Sequence, residues 1–245
     1  MALFIHHIPG GSFTCTMPVE RVYLLAFEYP PNNCLSPEFI GAFSICLSMI
    51  RERYPPGVLI TTSRIPNFYS SSPIQDEPMV WALFRQILTY PMPTLALING
   101  DAIGHGLLLA LCHDLRVQNK APSAFLRICS GPPEPYSPTK RVARLIKTCV
   151  SGSFKFDAYQ LKLNQVKKGL NPRDALKGGF VQGIGHLKEA LGIIERVGLL
   201  DVGSDPAYLS SKEETNRLAI SVCDADVESN RYPESKKLGS PEHKL

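Results

Sequence analysis

No stretch of this chain is apolar for the about 20 residues that a membrane-spanning helix needs, and its first residues lack the basic start and apolar segment of a secretory signal. Neither sign of charge dominates. Against 22 Asp and Glu stand 26 Lys and Arg, a formal charge of +4, and the basic residues are spread rather than blocked, which argues against a nucleic-acid surface. The seven cysteines, at positions 15, 34, 46, 112, 129, 149 and 223, are odd in number and show no CxxC spacing. Zinc is not indicated, and they read as reduced thiols of an intracellular protein. Tryptophan occurs once, as Trp81. The 245 residues can still bury one substantial core, with room for a small appendage.

What is present is organised around Thr94 to Val117. A short apolar run, Thr94 to Ile98, follows Pro91 and Pro93 and reads as a strand buried on both faces. A glycine-punctuated turn comes next, and from Gly106 to His113 length and propensity become helical. Strand, tight turn and buried helix in that order aim the free N–H groups of a helix start at one point, a placement that suits an oxyanion.

The run Pro93 to Asp114, with Asn99-Gly100, Gly104-His105-Gly106 and His113-Asp114, resembles the signature of the crotonase superfamily, the enoyl-CoA hydratases and isomerases. The likeness extends more weakly from about Arg21 to Leu199. It implies an α/β fold of the ClpP/crotonase type, with repeated ββα units and a C-terminal helical trimerisation region. The implied layout is a core over 1–185, helices for oligomer packing over 186–223, and a tail over 224–245 whose few apolar residues and mixed charge fit disorder. The substrate implied is an acyl-CoA thioester, with coenzyme A as part of the substrate and no separate cofactor or metal.

In that family the middle residue of the glycine-rich triplet gives its backbone N–H to the thioester oxygen; the corresponding residue is His105. The second donor should come from Phe68-Tyr69-Ser70-Ser71-Ser72-Pro73-Ile74, where the family carries an aromatic, two small residues, Gly, a donor and Asp. In one alignment Pro73, which has no N–H, stands at the donor position. Shifted by one residue, Ser72 is the donor. Both alignments are open on the sequence.

Hydratases of the family use two glutamates, and the first of these positions is Leu108 here, so the usual two-carboxylate hydration is not expected. The pattern is nearer to Δ3,Δ2-enoyl-CoA isomerases, which use one glutamate slightly later, and Glu134 in Gly131-Pro132-Pro133-Glu134 is the candidate base, with Tyr136 and Ser137 able to orient it. Arg64, Ser71, Gly104 and Trp81 are candidate substrate-binding residues, although a helix tryptophan such as Trp81 is also ordinary packing. The alternatives are a hydratase or lyase acting on an unusual acyl-CoA, and a catalytically impaired acyl-CoA-binding paralogue. A homotrimer or hexamer is the implied assembly. His243-Lys244-Leu245 resembles a peroxisomal address of the Ser-Lys-Leu type, which implies an import receptor as partner and the peroxisome as location.

The remaining elements follow from caps and periodicity. Ala2 to His7 and Ser12 to Met17 read as a hairpin and Arg21 to Phe27 as a third strand. Ser36-Pro37-Glu38 starts a helix to about Arg53, and Gly57 to Thr62 is a buried strand. Helices are expected over Met79 to Thr89, from a cap at Ser137 or Thr139 to Ile146 with Lys140, Arg141 and Arg144 outward, over Phe156 to Lys167, from an opening at Asn171-Pro172, and over Leu187 to Val197 and about Leu209 to Cys223. His113 and Asp114 read as structural, and Asn99 and Gly100 as turn residues.

Overall fold

The computed structural model describes residues 1–73, 77–121, 124–128, 139–150 and 169–225. The hairpin is β1 (Ala2–Ile8) and β2 (Gly11–Val19), followed by β3 (Val22–Glu28) and the helix α1 (Pro37–Arg53). Ser36 caps α1 by accepting from the Phe39 N–H, and Pro37 occupies the first turn, where its missing N–H costs nothing. Then come β4 (Val58–Ser63), β5 (Asn67–Ser72), α2 (Pro78–Leu88), β6 (Thr94–Ile98), β7 (Gly100–Gly104), α3 (His105–Leu111), β8 (Leu115–Gln118) and β9 (Leu126–Arg127). The last part holds α4 (Lys140–Cys149), α5 (Pro172–Lys177), β10 (Gly183–Ile184), α6 (Leu187–Arg196), α7 (Leu199–Val202), α8 (Tyr208–Thr215) and α9 (Arg217–Asp224).

The strands form two sheets. The larger runs β1-β2-β3-β4-β6-β8-β10, antiparallel through its hairpin and parallel from β3 onward; the smaller is the parallel set β5-β7-β9. All six residues of β4 and all five of β6 are buried, as expected of parallel strands covered on both faces. One face carries Phe13, Phe27, Phe39, Phe43 and Leu47 in the main core, and the other is closed by Ala190, Ile193 and Ile194 of α6 against Val58, Ile60, Leu95 and Leu97.

Three expectations are corrected. Gly100 to Gly104 is a strand of the small sheet rather than part of a turn: Ala102 and Ile103 pair with β5 on one side and β9 on the other, and this tertiary pairing overrides the turn chemistry of the glycines. The helix expected from Leu209 to Cys223 is broken at Asn216, whose Nδ2 donates to the Leu88 carbonyl at the end of α2 (3.0 Å). Arg141 does not point outward. It is 3% exposed, its guanidinium lies 4.0 Å over the Trp81 ring, and it donates to the carbonyls of Val222 and Cys223. Stacking and two hydrogen bonds compensate the burial that charge alone would oppose. The expected helix Phe156 to Lys167 and the tail with His243, Lys244 and Leu245 lie outside the described residues.

Candidate oxyanion site

The small sheet builds the site. In the parallel ladder of β5 and β7, Ser70 lies opposite Ala102, Ser71 opposite Ile103 and Ser72 opposite Gly104. Both strands therefore end at one level, and α3 starts directly from Gly104, which takes φ 59°, a conformation that glycine adopts without the Cβ penalty of other residues. The next glycine acts by size. A Cβ on Gly106 would stand 2.1 Å from the Ser70 carbonyl oxygen and 2.5 Å from its carbon, so only hydrogen at this position lets the first turn of α3 lie on β5.

β5 is an edge strand of its sheet, and its outer edge is held by a turn instead of another strand. The Ser71 N–H donates to the Asn32 carbonyl (2.9 Å), the Ser70 hydroxyl to the Asn33 carbonyl (2.8 Å), and the Asn33 Nδ2 to the Tyr69 carbonyl (3.0 Å). The Cys34 thiol lies 3.7 Å from the Ser72 hydroxyl. Asn33 is fully buried at φ 53°, accepts from the Tyr29 N–H and donates its second amide hydrogen to Ser63 Oγ, so both of its amide donors are used. Three consecutive residues, 32 to 34, thus fasten four, 69 to 72. Because amides of successive strand residues point to opposite edges, the Ser72 N–H lies on the β7 side of β5. Pro73 follows with no N–H.

Beneath this pair of strands a polar chain is sealed in the core. The Tyr69 hydroxyl and His113 Nε2 both meet Thr61 Oγ1, at 2.8 and 2.9 Å, and His113 Nδ1 lies 2.9 Å from the Leu109 carbonyl. A carbonyl only accepts, so Nδ1 carries the hydrogen, Nε2 accepts from Thr61, and Tyr69 donates to Thr61. Burial pushes the His113 pKa down to about 4, which keeps the ring neutral, and the same burial raises the Tyr69 phenol. Asp114 is likewise occupied: it accepts from the N–H and hydroxyl of Thr94 and from Lys212 Nζ (2.7 Å) and Tyr208, tying α8 to β6. His113 is closed to a substrate.

The helix itself offers no carboxylate. Leu107, Leu108 and Leu109 are fully buried, and His105 is 1% exposed with its ring edge-on to Phe84 at 6.0 Å. His105 therefore faces packed side chains, which fits a backbone contribution better than ring chemistry. Of the candidate residues, the structure brings Ser71, Ser72, Gly104 and His105 together. Arg64 stands apart at the end of β4, exposed, within 3.2 Å of Thr14 Oγ1 and 3.8 Å of Glu28. Trp81, on α2, is 2% exposed between Phe84 and Arg141, and the Phe84 ring separates it from His105. Glu134, Tyr136 and Ser137 lie outside the described residues. The positioning roles of Asn33 and Gly106 were not found from the sequence; Gly106 stood in the quoted triplet, but only the approach of β5 explains why it is glycine.

No family sequence model matches the chain. Solved structures resemble it over most of its length. A protein of the enoyl-CoA hydratase/isomerase family from Pseudomonas syringae superposes with a TM-score of 0.69 at 18% identity, covering 88% of this chain and 94% of that one. Human mitochondrial Δ3,Δ2-enoyl-CoA isomerase gives 0.64 at 17%, covering 89% and 84%. An enoyl-CoA hydratase from Bacillus halodurans gives 0.66 at 18%, covering 89% and 91%. With its strand order, its paired strand ends and these superpositions, the chain has the crotonase fold.

Proposed function

We propose that the protein is an acyl-CoA-binding enzyme that moves a double bond from the 3,4 to the 2,3 position of an enoyl thioester. The observation that carries this reading is the register of β5 against β7, which sets Ser72 beside Gly104 and so brings two backbone segments to one point. A thioester α-proton is too weakly acidic to leave unless the developing oxyanion is held by fixed donors. The N–H groups of His105 and Ser72 are the donors in this reading. Glu134 removes a proton from C2, the electrons delocalise through the diene to the oxygen, and the carboxyl returns the proton to C4. An apolar surrounding raises the pKa of such a carboxylate toward neutrality and suits it to both steps. Leu108, buried one turn into α3, favours this single-carboxylate route over hydration, which needs a second acid. Arg64 is assigned to the phosphates of coenzyme A on its exposure and its place at a strand end.

The test is incubation of the purified protein with 3-enoyl-CoA and 2-enoyl-CoA esters of short and long chains, with products identified by mass and retention. Conversion of the 3-enoyl ester without mass change is expected, and Glu134→Gln should remove nearly all of it while the thioester still binds. Gain of water would replace the isomerase by a hydratase. Unchanged turnover in Glu134→Gln would remove that residue as the base. One observation favours a second reading, an acyl-CoA binder without turnover: of residues 71 to 73, the first N–H is bonded to Asn32 and the third is absent. Binding without conversion of either ester would establish it.

A further inference from the structure

Between α4 and α9 lies a cavity of about 480 Å³, large enough for a small molecule. α4 faces it with Arg141, Arg144 and Lys147, and α9 with Leu218, Ser221 and Val222. Among the described residues, every charged group in the lining is a cation. α4 itself holds four cations and no carboxylate in ten residues, and Arg144 and Lys147, three apart on one side of it, repel each other. Both are exposed, and neither joins an ion pair among the described residues. Opposite them Leu218 is 62% exposed, more than any other large apolar side chain of the described residues except Met1.

The cavity is separate from the oxyanion site. Arg141 stacks on Trp81 at 4.0 Å, Trp81 packs on Phe84 at 5.6 Å and Phe84 on His105 at 6.0 Å, so filled aromatic packing stands between the two. One wall of the cavity is thus cationic and the other mostly apolar, the Ser221 hydroxyl donating to the Leu218 carbonyl of its own helix. Water satisfies only the first, and a ligand that satisfies both must carry an acidic head on an apolar body.

We propose that this cavity binds an amphiphilic organic anion, a medium-chain carboxylate or alkyl phosphate, with its head on Arg144 and Lys147 and its chain on Leu218 and Val222. Arginine pairs in a fork with two oxygens of either head group, and the lysine adds a point charge. The proposal is independent of the thioester reading, since it needs neither Glu134 nor a CoA group.

The chain's single tryptophan supplies the readout, because Trp81 lies under the Arg141 guanidinium that forms part of the cavity wall. Trp81 fluorescence and calorimetry would be followed while the full chain is titrated, below micelle formation, with decanoate, decyl phosphate, inorganic phosphate and decanol. Saturable binding of decanoate or decyl phosphate is expected, with inorganic phosphate and decanol at least about tenfold weaker. Arg144→Ala combined with Lys147→Ala should weaken that binding about tenfold or more without changing the thermal melt, since both side chains are exposed; if that pair does not fold, Lys147→Gln alone serves. Absence of saturable binding by both methods overturns the proposal. Equal affinity in the wild type and the charge variants overturns it too, because the anion then binds elsewhere. Inorganic phosphate binding as tightly as decyl phosphate would remove the apolar half.

Discussion

The two segments that meet at the candidate site are built in opposite ways. The Gly104–Gly106 turn is made by the absence of side chains: one glycine takes a positive φ, and the other admits the Ser70 carbonyl to within 2.1 Å of where a Cβ would stand. The Ser70–Ser72 segment is held largely by their presence, through the Asn33 amide, the Ser70 hydroxyl and the Cys34 thiol, with the Asn32 carbonyl adding a backbone bond to the Ser71 N–H. A backbone-made turn tolerates an unusual residue such as His105 at its donor, because the donor is the N–H. A side-chain-held strand tolerates changes of sequence as long as its clamp remains, and three serines followed by a proline occupy it here.

Substitutions can break this comparison, and the largest effect should come from Gly106→Ala. The added methyl meets backbone, which cannot rotate away, so α3 and β5 must separate, at a cost of about 3 kcal/mol or more. Denaturant unfolding measures it; a change under about 1 kcal/mol would show that the close approach is not a constraint.

Next in size is the pH response of the chain beneath the strands. His113 has a pKa of about 4 in the fold against the usual 6.5, so between those values the unfolded chain binds the extra proton. Stability is therefore full above about pH 6.5, falls as pH drops, and has lost about 3 kcal/mol near pH 4. Unfolding free energies of the wild type and His113→Gln across this window isolate the effect from the carboxylates. Parallel curves for the two proteins would remove His113 as its source.

Ser70→Ala removes one clamp bond, from the Ser70 hydroxyl to the buried Asn33 carbonyl, and should cost about 1 kcal/mol. The comparison sharpens if amide exchange then rises at residues 70 to 72 while that of α3 stays protected. Equal protection in the variant would mean that the clamp does not hold the strand.

The smallest expected effect is on turnover in Pro73→Ala. With Ser72 as donor, restoring an N–H at 73 leaves kcat within about threefold, whereas a missing donor regained would raise it about a hundredfold or more. Such a rise would assign the donor position to residue 73.

The sequence by itself determined the elements whose signals are local. Ser36-Pro37-Glu38 announced α1, Asn171-Pro172 opened α5, and the apolar runs of β4 and β6 marked strands with two covered faces, while the cap of α4, open between Ser137 and Thr139 on the sequence, is Thr139. Gly104-His105-Gly106 also marked where α3 begins. Tertiary structure decided what depends on a neighbour far along the chain. β7 is a strand because β5 and β9 flank it, Arg141 is inward because Trp81 and the end of α9 receive it, and Asn33 matters because β5 lies 36 residues on. A single chain read in order carries periodicity and caps, which act over a few residues. Edge satisfaction, cation stacking and the room for a Cβ are fixed only when distant segments come into contact.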